Sequence, residues 1–295
     1  MTFEHATIVG PSTHSEIDSF LKEWAPSLQR PVPEQARGWI WCHLAQATNE
    51  QVKKPAEDRE DRNEKFEKEG QALVEELNQT CQEIKEGDAP VRAKKGVKNQ
   101  KQLREEAYES FNEKVKILAR KHSITSGKWM FFPRAEGVDY QWSKIVKALA
   151  DADGPLAKTG FVKSAKVAPI ALEGETQLIC VYVEDSWDKK AVGKVFETLL
   201  EDLQLSSSAF KCDANTILGI DSKHPSGIRS SLYQASEFKS KDEIKAILEN
   251  KKSKPVVAPK PRTLEDEKAL GLGDFDEVSD SDNEEPVQKK QKTKK

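Results

Sequence analysis

The stretch Ser123–Pro133, SITSGKWMFFP, decides how the second half of the chain is interpreted. A Ser-Gly pair precedes Lys128 and Trp129, three more large apolar residues follow, and Pro133 ends the run. A short apolar run bounded by turn residues is typical of a strand. We therefore predict a strand over Lys128–Phe132 in which Trp129 packs in the core. The alternative is that Trp129 forms one wall of a pocket that stacks a flat ligand.

Downstream of this strand, helical and extended patterns follow one another along the chain. Apolar residues recur at three- and four-residue steps in Val138–Leu149 and again in 188–203, which predicts two amphipathic helices. Adjacent strands joined by short turns favour antiparallel pairing with the helices packed on one face. The expected fold class is therefore α+β, with a curved antiparallel sheet. The predicted strands are TGFVKSAKVAPI (159–170), TQLICVYVED (176–185), NTILGI (215–220) and RSSLYQ (229–234).

Two further elements are predicted upstream. In PVPEQARGWIWCHL (31–44), alternation places Trp39 and Trp41 on one face of a strand. Apolar positions at helical spacing then occur on both sides of a basic, glycine-containing loop, which predicts a helical hairpin insertion at about residues 63–122.

These elements set the predicted domain boundaries. Residues 1–14 are predicted to be a flexible N-terminus, and residues 15–250 the α+β domain. Residues 251–295 are predicted to be a disordered tail, because an acidic block with ten acids and one base over 264–286 is followed by five lysines.

The tail has its own expected partners. Ser279 and Ser281 each have an acidic residue three positions later, which resembles the acceptor pattern of casein-kinase-type kinases. Phosphorylation there would deepen the negative charge of the block. The terminal lysines resemble a nuclear import signal read by an importin. The alternative is a tail that only increases solubility.

Composition narrows the class of protein. Hydrophobic residues make up 36% of the chain and charged residues 33%, and the formal net charge is −3, so no global field draws the chain to nucleic acid or membrane. No run approaches the length that a membrane span requires, and the N-terminus lacks a leader pattern. We expect no membrane association and a cytoplasmic or nuclear location, or both. The four cysteines, which are scattered and expected to be reduced, are Cys42, Cys81, Cys180 and Cys212.

Motifs that carry chemistry are missing from the sequence. It contains no Gly-x-Ser-x-Gly, no Walker-type phosphate loop and no His-Glu-x-x-His, and its histidines are isolated. We therefore expect a binding protein that is not an enzyme and that holds no metal or cofactor.

Several stretches carry a resemblance to known families. The order of elements, with GKW opening a strand and a tryptophan-bearing helix after it, looks like the messenger-RNA cap-binding factors of the translation initiation factor 4E family. More closely, the chain resembles a family of unknown function typified by the basophilic leukaemia-expressed protein. This match covers roughly residues 15–238, and the stretches that carry it are HSITSGKWMFFP (122–133), SAKV (164–167), LICVYVED (178–185), FKCDANTILGI (210–220) and RSSLYQ.

The resemblance implies particular site residues. In the cap-binding factors, a basic residue on a strand after the Gly-basic-Trp motif holds cap phosphate, and Lys166 falls at that position. An aromatic residue on the next strand borders the methylated base, and Tyr182 falls there. Those factors sandwich the base between two loop tryptophans, whereas no tryptophan lies between Trp41 and Gly127 here, so cap recognition is not implied. Lesser candidates are Lys128, Trp129, Trp39 and Trp41.

Two functions follow as hypotheses. The first is a binding protein that takes a nucleotide or RNA on the concave sheet face, through Lys166 and Tyr182. The second is a protein-interaction adaptor that keeps the fold and has lost the ligand. A basic face with exposed aromatic side chains favours the first hypothesis, and a neutral, aliphatic face favours the second.

Overall fold

The computed structural model describes residues 6–28, 38–44, 56–92, 96–168, 176–221 and 223–250. They lie within one compact unit, Met1–Ser253. The architecture is mixed α and β, with one open seven-stranded sheet in the order β1-β2-β4-β5-β3-β6-β7. The strands are β1 Thr7–Val9, β2 Ile40–His43, β3 Gly127–Phe131, β4 Val162–Val167, β5 Ile179–Val183, β6 Ala209–Cys212 and β7 Tyr233–Gln234.

Eight α-helices accompany the sheet in the described residues. The first helix begins where the sequence supplies a capping box, in which the Thr13 hydroxyl accepts from the Glu16 backbone N–H and the Glu16 carboxylate accepts from the Thr13 backbone. The helices are α1 His14–Glu23, α2 Ala56–Glu86, α3 Gln100–Lys121, α4 Ala135–Ala150, α5 Pro155–Lys158, α6 Lys189–Glu201, α7 Asp213–Ile217 and α8 Lys241–Asn250. Among the described residues, no helix has the length and apolar content needed to cross a membrane.

The sheet differs from the predicted antiparallel one at its first edge. Strand β1 pairs with β2 in parallel, while the other five neighbouring pairs are antiparallel. Strand β1 lies within residues 1–14, which the sequence predicted to be flexible, and the Trp41 backbone N–H donates to the Ala6 carbonyl. The sequence did not predict this strand because three residues are too few to show an alternating pattern.

The main hydrophobic core lies between one face of the sheet and helices α1, α4 and α6. Trp129 is fully buried in it, its indole N–H donates to the Val192 carbonyl, and its ring packs 4.8 Å from the ring of Phe196. Trp142 on α4 is also fully buried in this core. The prediction that the stretch 123–133 contains a core strand is therefore confirmed.

A second core lies beneath the helical hairpin. Helices α2 and α3 pack antiparallel, since Lys114 pairs with Glu76 whereas Lys121, farther along α3, pairs with the earlier Glu69 of α2. Buried residues of both helices, among them Phe66 and Phe111, contact the chain around α7. Together the two hairpin helices span residues 56–121, and the predicted insertion was at about 63–122.

This second core explains an error in the strand prediction. The apolar run NTILGI (215–220) was predicted to be a strand, but it lies in and after the short helix α7. Its residues Leu218 and Ile220 are buried against the hairpin. A short apolar run indicates burial and does not by itself distinguish a strand from a helix. The strand at this place in the fold is β6, which lies just before the run.

Candidate functional site

The sheet face opposite the main core carries two rows of mostly polar and aromatic side chains. Because neighbouring strands are in register and side chains alternate between faces, residues paired across strands share a face. We call these nine residues the polar face. The first row is Lys211, Lys128, Tyr182, Ser164 and His43, and the second row is Met130, Cys180, Lys166 and Trp41.

Lys166 on β4 is surrounded by aromatic rings. Its ammonium lies 3.8 Å from the centre of the Trp39 ring, 5.1 Å from that of Trp41 and 5.7 Å from that of Tyr182. Trp41 lies on β2 and Tyr182 on β5, the two strands that flank β4. Trp39 immediately precedes β2. The faces of aromatic rings attract cations at this range. The rings therefore fix the position of this ammonium.

The aromatic rings also align with one another. Trp41 stacks on His43 at 5.3 Å with an interplanar angle of 7°, and on Tyr182 at 6.1 Å with an angle of 20°. Near-parallel rings at these distances form a strip along the sheet surface. Trp41, His43 and Tyr182 are only half-buried, so part of this aromatic surface is accessible, and aromatic surfaces of this kind stack bases in single-strand binders.

The charge of Lys166 is poorly compensated. Its side chain is half-buried, and burial lowers the pKa of its ammonium below 10.5, the ordinary value. Among the residues that the structure describes, no carboxylate lies within ion-pair distance of it. Lys166 is therefore a partly desolvated cation whose described neighbours are mainly aromatic rings.

Lys128 on β3 has a different environment. Its ammonium donates to Asp213 at 2.7 Å and to the Thr216 hydroxyl at 3.1 Å, and only 8% of the residue is exposed. The Ser126 hydroxyl donates to the other oxygen of the same carboxylate. The Lys128 ammonium also lies 5.6 Å from the centre of the Tyr182 ring. Lys128 therefore contributes a charged ammonium, ion-paired with Asp213, to the edge of the aromatic cluster.

The nucleophilic groups of the polar face are held neutral. Burial raises the pKa of the Cys180 thiol to about 11, even though Lys128 and Lys166 lie near it. Burial also raises the pKa of the Tyr182 phenol. The face thus presents ammonium groups beside a neutral thiol and a neutral phenol, a composition suited to binding anions and flat rings.

The structure brings together five of the six sequence-predicted ligand contacts. Lys166, Tyr182, Lys128, Trp39 and Trp41 meet around the aromatic cluster. The sixth, Trp129, does not join them: strand alternation places it on the opposite face, where its ring is fully buried in the main core. The phosphorylation candidates Ser279 and Ser281, with the rest of the tail, lie outside the described residues.

Three residues of the site were missed in the sequence. His43 follows Trp41 by two positions on the same strand, so the alternation that paired Trp39 with Trp41 also predicts its position. Lys211 and Asp213 have no such local signal, because their place depends on recognising β6 and its register with β3.

Comparison with protein families places this geometry in a wider context. The family described as basophilic leukemia-expressed protein Bles03 matches residues 6–219, which is 214 of the 295 residues. The chain belongs to the Bles03 family. The Bles03 match runs from the start of the sheet through β6 and α7 and includes every residue of the polar face. It ends before β7, α8 and the tail.

Proposed function

We propose that the polar face binds a nucleotide or a single-stranded RNA segment and carries out no catalysis. The observation that carries the proposal is the partly desolvated Lys166 ammonium, which lies among Trp39, Trp41 and Tyr182 without a carboxylate partner in the described residues. A nucleotide supplies both things that this arrangement attracts, which are a flat ring and an anion.

The energetics favour a ligand of this kind. Stacking one base on an aromatic side chain contributes about 1–3 kcal/mol. A charge-assisted hydrogen bond from an ammonium to a phosphate adds about 1.5–3 kcal/mol. Together these terms amount to about 2.5–6 kcal/mol, less than the about 8 kcal/mol that corresponds to micromolar affinity. We therefore expect affinity between the millimolar and upper micromolar range, and only when both parts of the site are engaged.

We also propose that the fold is that of the cap-binding initiation factors. The support is the sheet with its helical layer, the GKW sequence that opens β3, and the placement of Lys166 and Tyr182 on one face. The base would then stack on the Trp41–His43 strip and not between two loop tryptophans, since the sequence lacks that pair. We therefore expect little discrimination between a methylated cap and an ordinary purine nucleotide.

The adaptor hypothesis predicts a different surface. A face that had lost its ligand and served only as a scaffold would be neutral and aliphatic. The polar face carries three lysines and the rings of Trp41, His43 and Tyr182. This composition favours the nucleotide or RNA ligand over the adaptor role.

Isothermal titration calorimetry of the full chain tests the proposal. The titrants are a methylated cap analogue, GTP and a short single-stranded RNA. We expect saturable binding of at least one of them, and Trp41→Ala should weaken it by roughly 5- to 150-fold, which corresponds to the stacking of one base. Lys166→Met should also weaken it.

A matched control is available on α4. Tyr140 is 41% exposed, and its ring lies 4.2 Å from the Lys144 ammonium, so it reproduces an aromatic–lysine pair away from the polar face. Tyr140→Ala should leave binding unchanged. No binding heat for any titrant at millimolar concentration, or equal weakening by Tyr140→Ala, would refute the proposal.

A further inference from the structure

The polar face carries more positive charge than its neighbouring acids balance. Lys211 on β6 pairs directly with Lys128 on β3, and Lys166 lies two strands farther along the sheet. Among the described residues, Asp213 is bonded to Lys128, and the carboxylates of Asp213 and Asp221 act on Lys211 only from beyond ion-pair distance. Lys166 and Lys211 therefore remain without an ion-pair partner in the part of the chain that the structure describes.

This arrangement has a cost in the unliganded protein. Like charges placed directly opposite each other on neighbouring strands destabilise a sheet. Lys211 is half-buried, and burial together with the charge of Lys128 lowers the pKa of its ammonium. A neutral side chain of similar length would occupy the position at lower cost. A cost of this kind at a surface position is typical of a binding site, where stability is exchanged for function.

We propose that Lys211 and Lys166 form a phosphate-binding site that takes a ligand with more than one phosphate. The inference rests on the proposed function and states which end of the polar face binds the base and which end binds the phosphates. Trp41 and His43, on β2, receive the base, and Lys211, on β6, receives the distal phosphate. Lys166 lies between the two ends and contacts the proximal phosphate.

The size of the ligand follows from the sheet. Strands β4 and β6 are separated by three strand spacings, which amounts to about 14 Å between the backbones. The Lys166 ammonium lies 3.8 Å from the centre of the Trp39 ring, on the side of β4 away from β6, so in this position it does not share a single phosphate with Lys211. The shared chemistry is therefore a chain of phosphates, from a nucleoside triphosphate or from successive phosphodiesters of an RNA strand.

Thermal unfolding of the full chain tests this assignment with three probes, namely tripolyphosphate, guanosine and GTP. We expect tripolyphosphate and GTP to raise the Tm of the wild type. Lys211→Gln should abolish the shift with tripolyphosphate and weaken GTP binding about tenfold, the loss expected for one charge-assisted hydrogen bond. The Tm of the unliganded variant should equal or exceed that of the wild type, because the repulsion is removed.

Control variants separate charge from folding. Lys211→Arg keeps the charge and should retain the tripolyphosphate shift. Lys190→Gln removes an exposed lysine on α6. It should change neither the Tm of the unliganded protein nor the Tm shift with tripolyphosphate. The two sources of phosphate are distinguished by repeating the titration with a single-stranded RNA that lacks a 5′ triphosphate. If Lys211→Gln weakens binding of this RNA, Lys211 contacts phosphodiesters of an RNA strand; if it weakens binding of GTP alone, Lys211 contacts a nucleoside triphosphate.

The possible failures are distinguishable. If guanosine binds the wild type and Lys211→Gln leaves GTP binding unchanged, the phosphate assignment is overturned and the proposed function stands. If tripolyphosphate raises the Tm of the wild type but not of Lys211→Gln, while Trp41→Ala leaves the binding of guanosine, GTP and RNA unchanged, the base-binding assignment is refuted and the phosphate site stands. A lower Tm for unliganded Lys211→Gln, with unchanged response to tripolyphosphate, shows that Lys211 is only structural.

Discussion

Replacing Asp213 with asparagine should destabilise the fold by leaving a buried ammonium without its counter-ion. Asp213 accepts from Lys128 at 2.7 Å, and Lys128 is 8% exposed. Removing one partner of a buried ion pair costs about 3–5 kcal/mol, because the other charge stays desolvated. The Asp213 side chain is 22% exposed and Thr216 remains as an acceptor, so the loss should be smaller, about 2–3 kcal/mol.

Urea unfolding followed by circular dichroism measures this loss. For a domain of this size it corresponds to a decrease in Tm of roughly 4–12 °C. The double variant Lys128→Met/Asp213→Asn should recover at least half of the lost stability, because it removes the uncompensated charge as well. Lys128→Met alone should cost less than Asp213→Asn, since Asp213 keeps the hydrogen bond from Ser126.

Two results would refute this reasoning. One is a loss below about 0.5 kcal/mol for Asp213→Asn, the size typical of an exposed pair, which would mean that water reaches Lys128 freely. The other is a double variant whose loss equals the sum of the two single losses, which would mean that the two side chains do not act as a pair.

Three further predictions concern the same sheet. Burial holds the pKa of Lys166 below 10.5, so just below this pH the folded state binds fewer protons than the unfolded state. The stability of the wild type relative to Lys166→Met should therefore rise as the pH increases from neutral toward 10.5. A difference in urea midpoints that does not change with pH would contradict this prediction. Trp129→Ala should cost about 3–5 kcal/mol in urea unfolding, because the side chain is fully buried, and a loss under 1 kcal/mol would place it outside the core. Gly127→Ala should cost about 1–3 kcal/mol in the same assay, since its Cβ would lie 2.7 Å from the buried Phe210 ring, and no loss would show that the ring moves aside.

The parts of the fold that sequence predicts are those whose pattern is local and long enough to read. Strands β4 and β5 and helix α6 lie within their predicted segments, and strand β3 and helix α4 overlap theirs, because alternation and helical spacing are visible there. Strand β1 and the parallel pairing with β2 have no such signal, since three residues show no period. The run 215–220 was wrongly predicted to be a strand, because its apolar residues are buried against the helical hairpin. That contact joins distant parts of the chain, so no local pattern reveals it.

The site divides in the same way. The shared face of Trp39 and Trp41 follows from alternation alone, and the two rings do lie beside one cation. The meeting of Lys166 with those rings depends on the register of β2 with β4, which no local pattern encodes. Lys211 and Asp213 were missed for the same reason, because their role requires the pairing of β6 with β3.

The most direct test of the central claim is the nuclear magnetic resonance spectrum of the six indole N–H groups in the ¹⁵N-labelled full chain during titration with GTP. The account predicts saturable shifts for Trp39 and Trp41, whose rings lie on the polar face beside Lys166. Trp129 and Trp142, which are fully buried in the opposite core, should stay in place. Unmoved Trp39 and Trp41 signals at millimolar GTP, cap analogue and RNA alike would contradict the claim that this face binds a nucleotide or RNA.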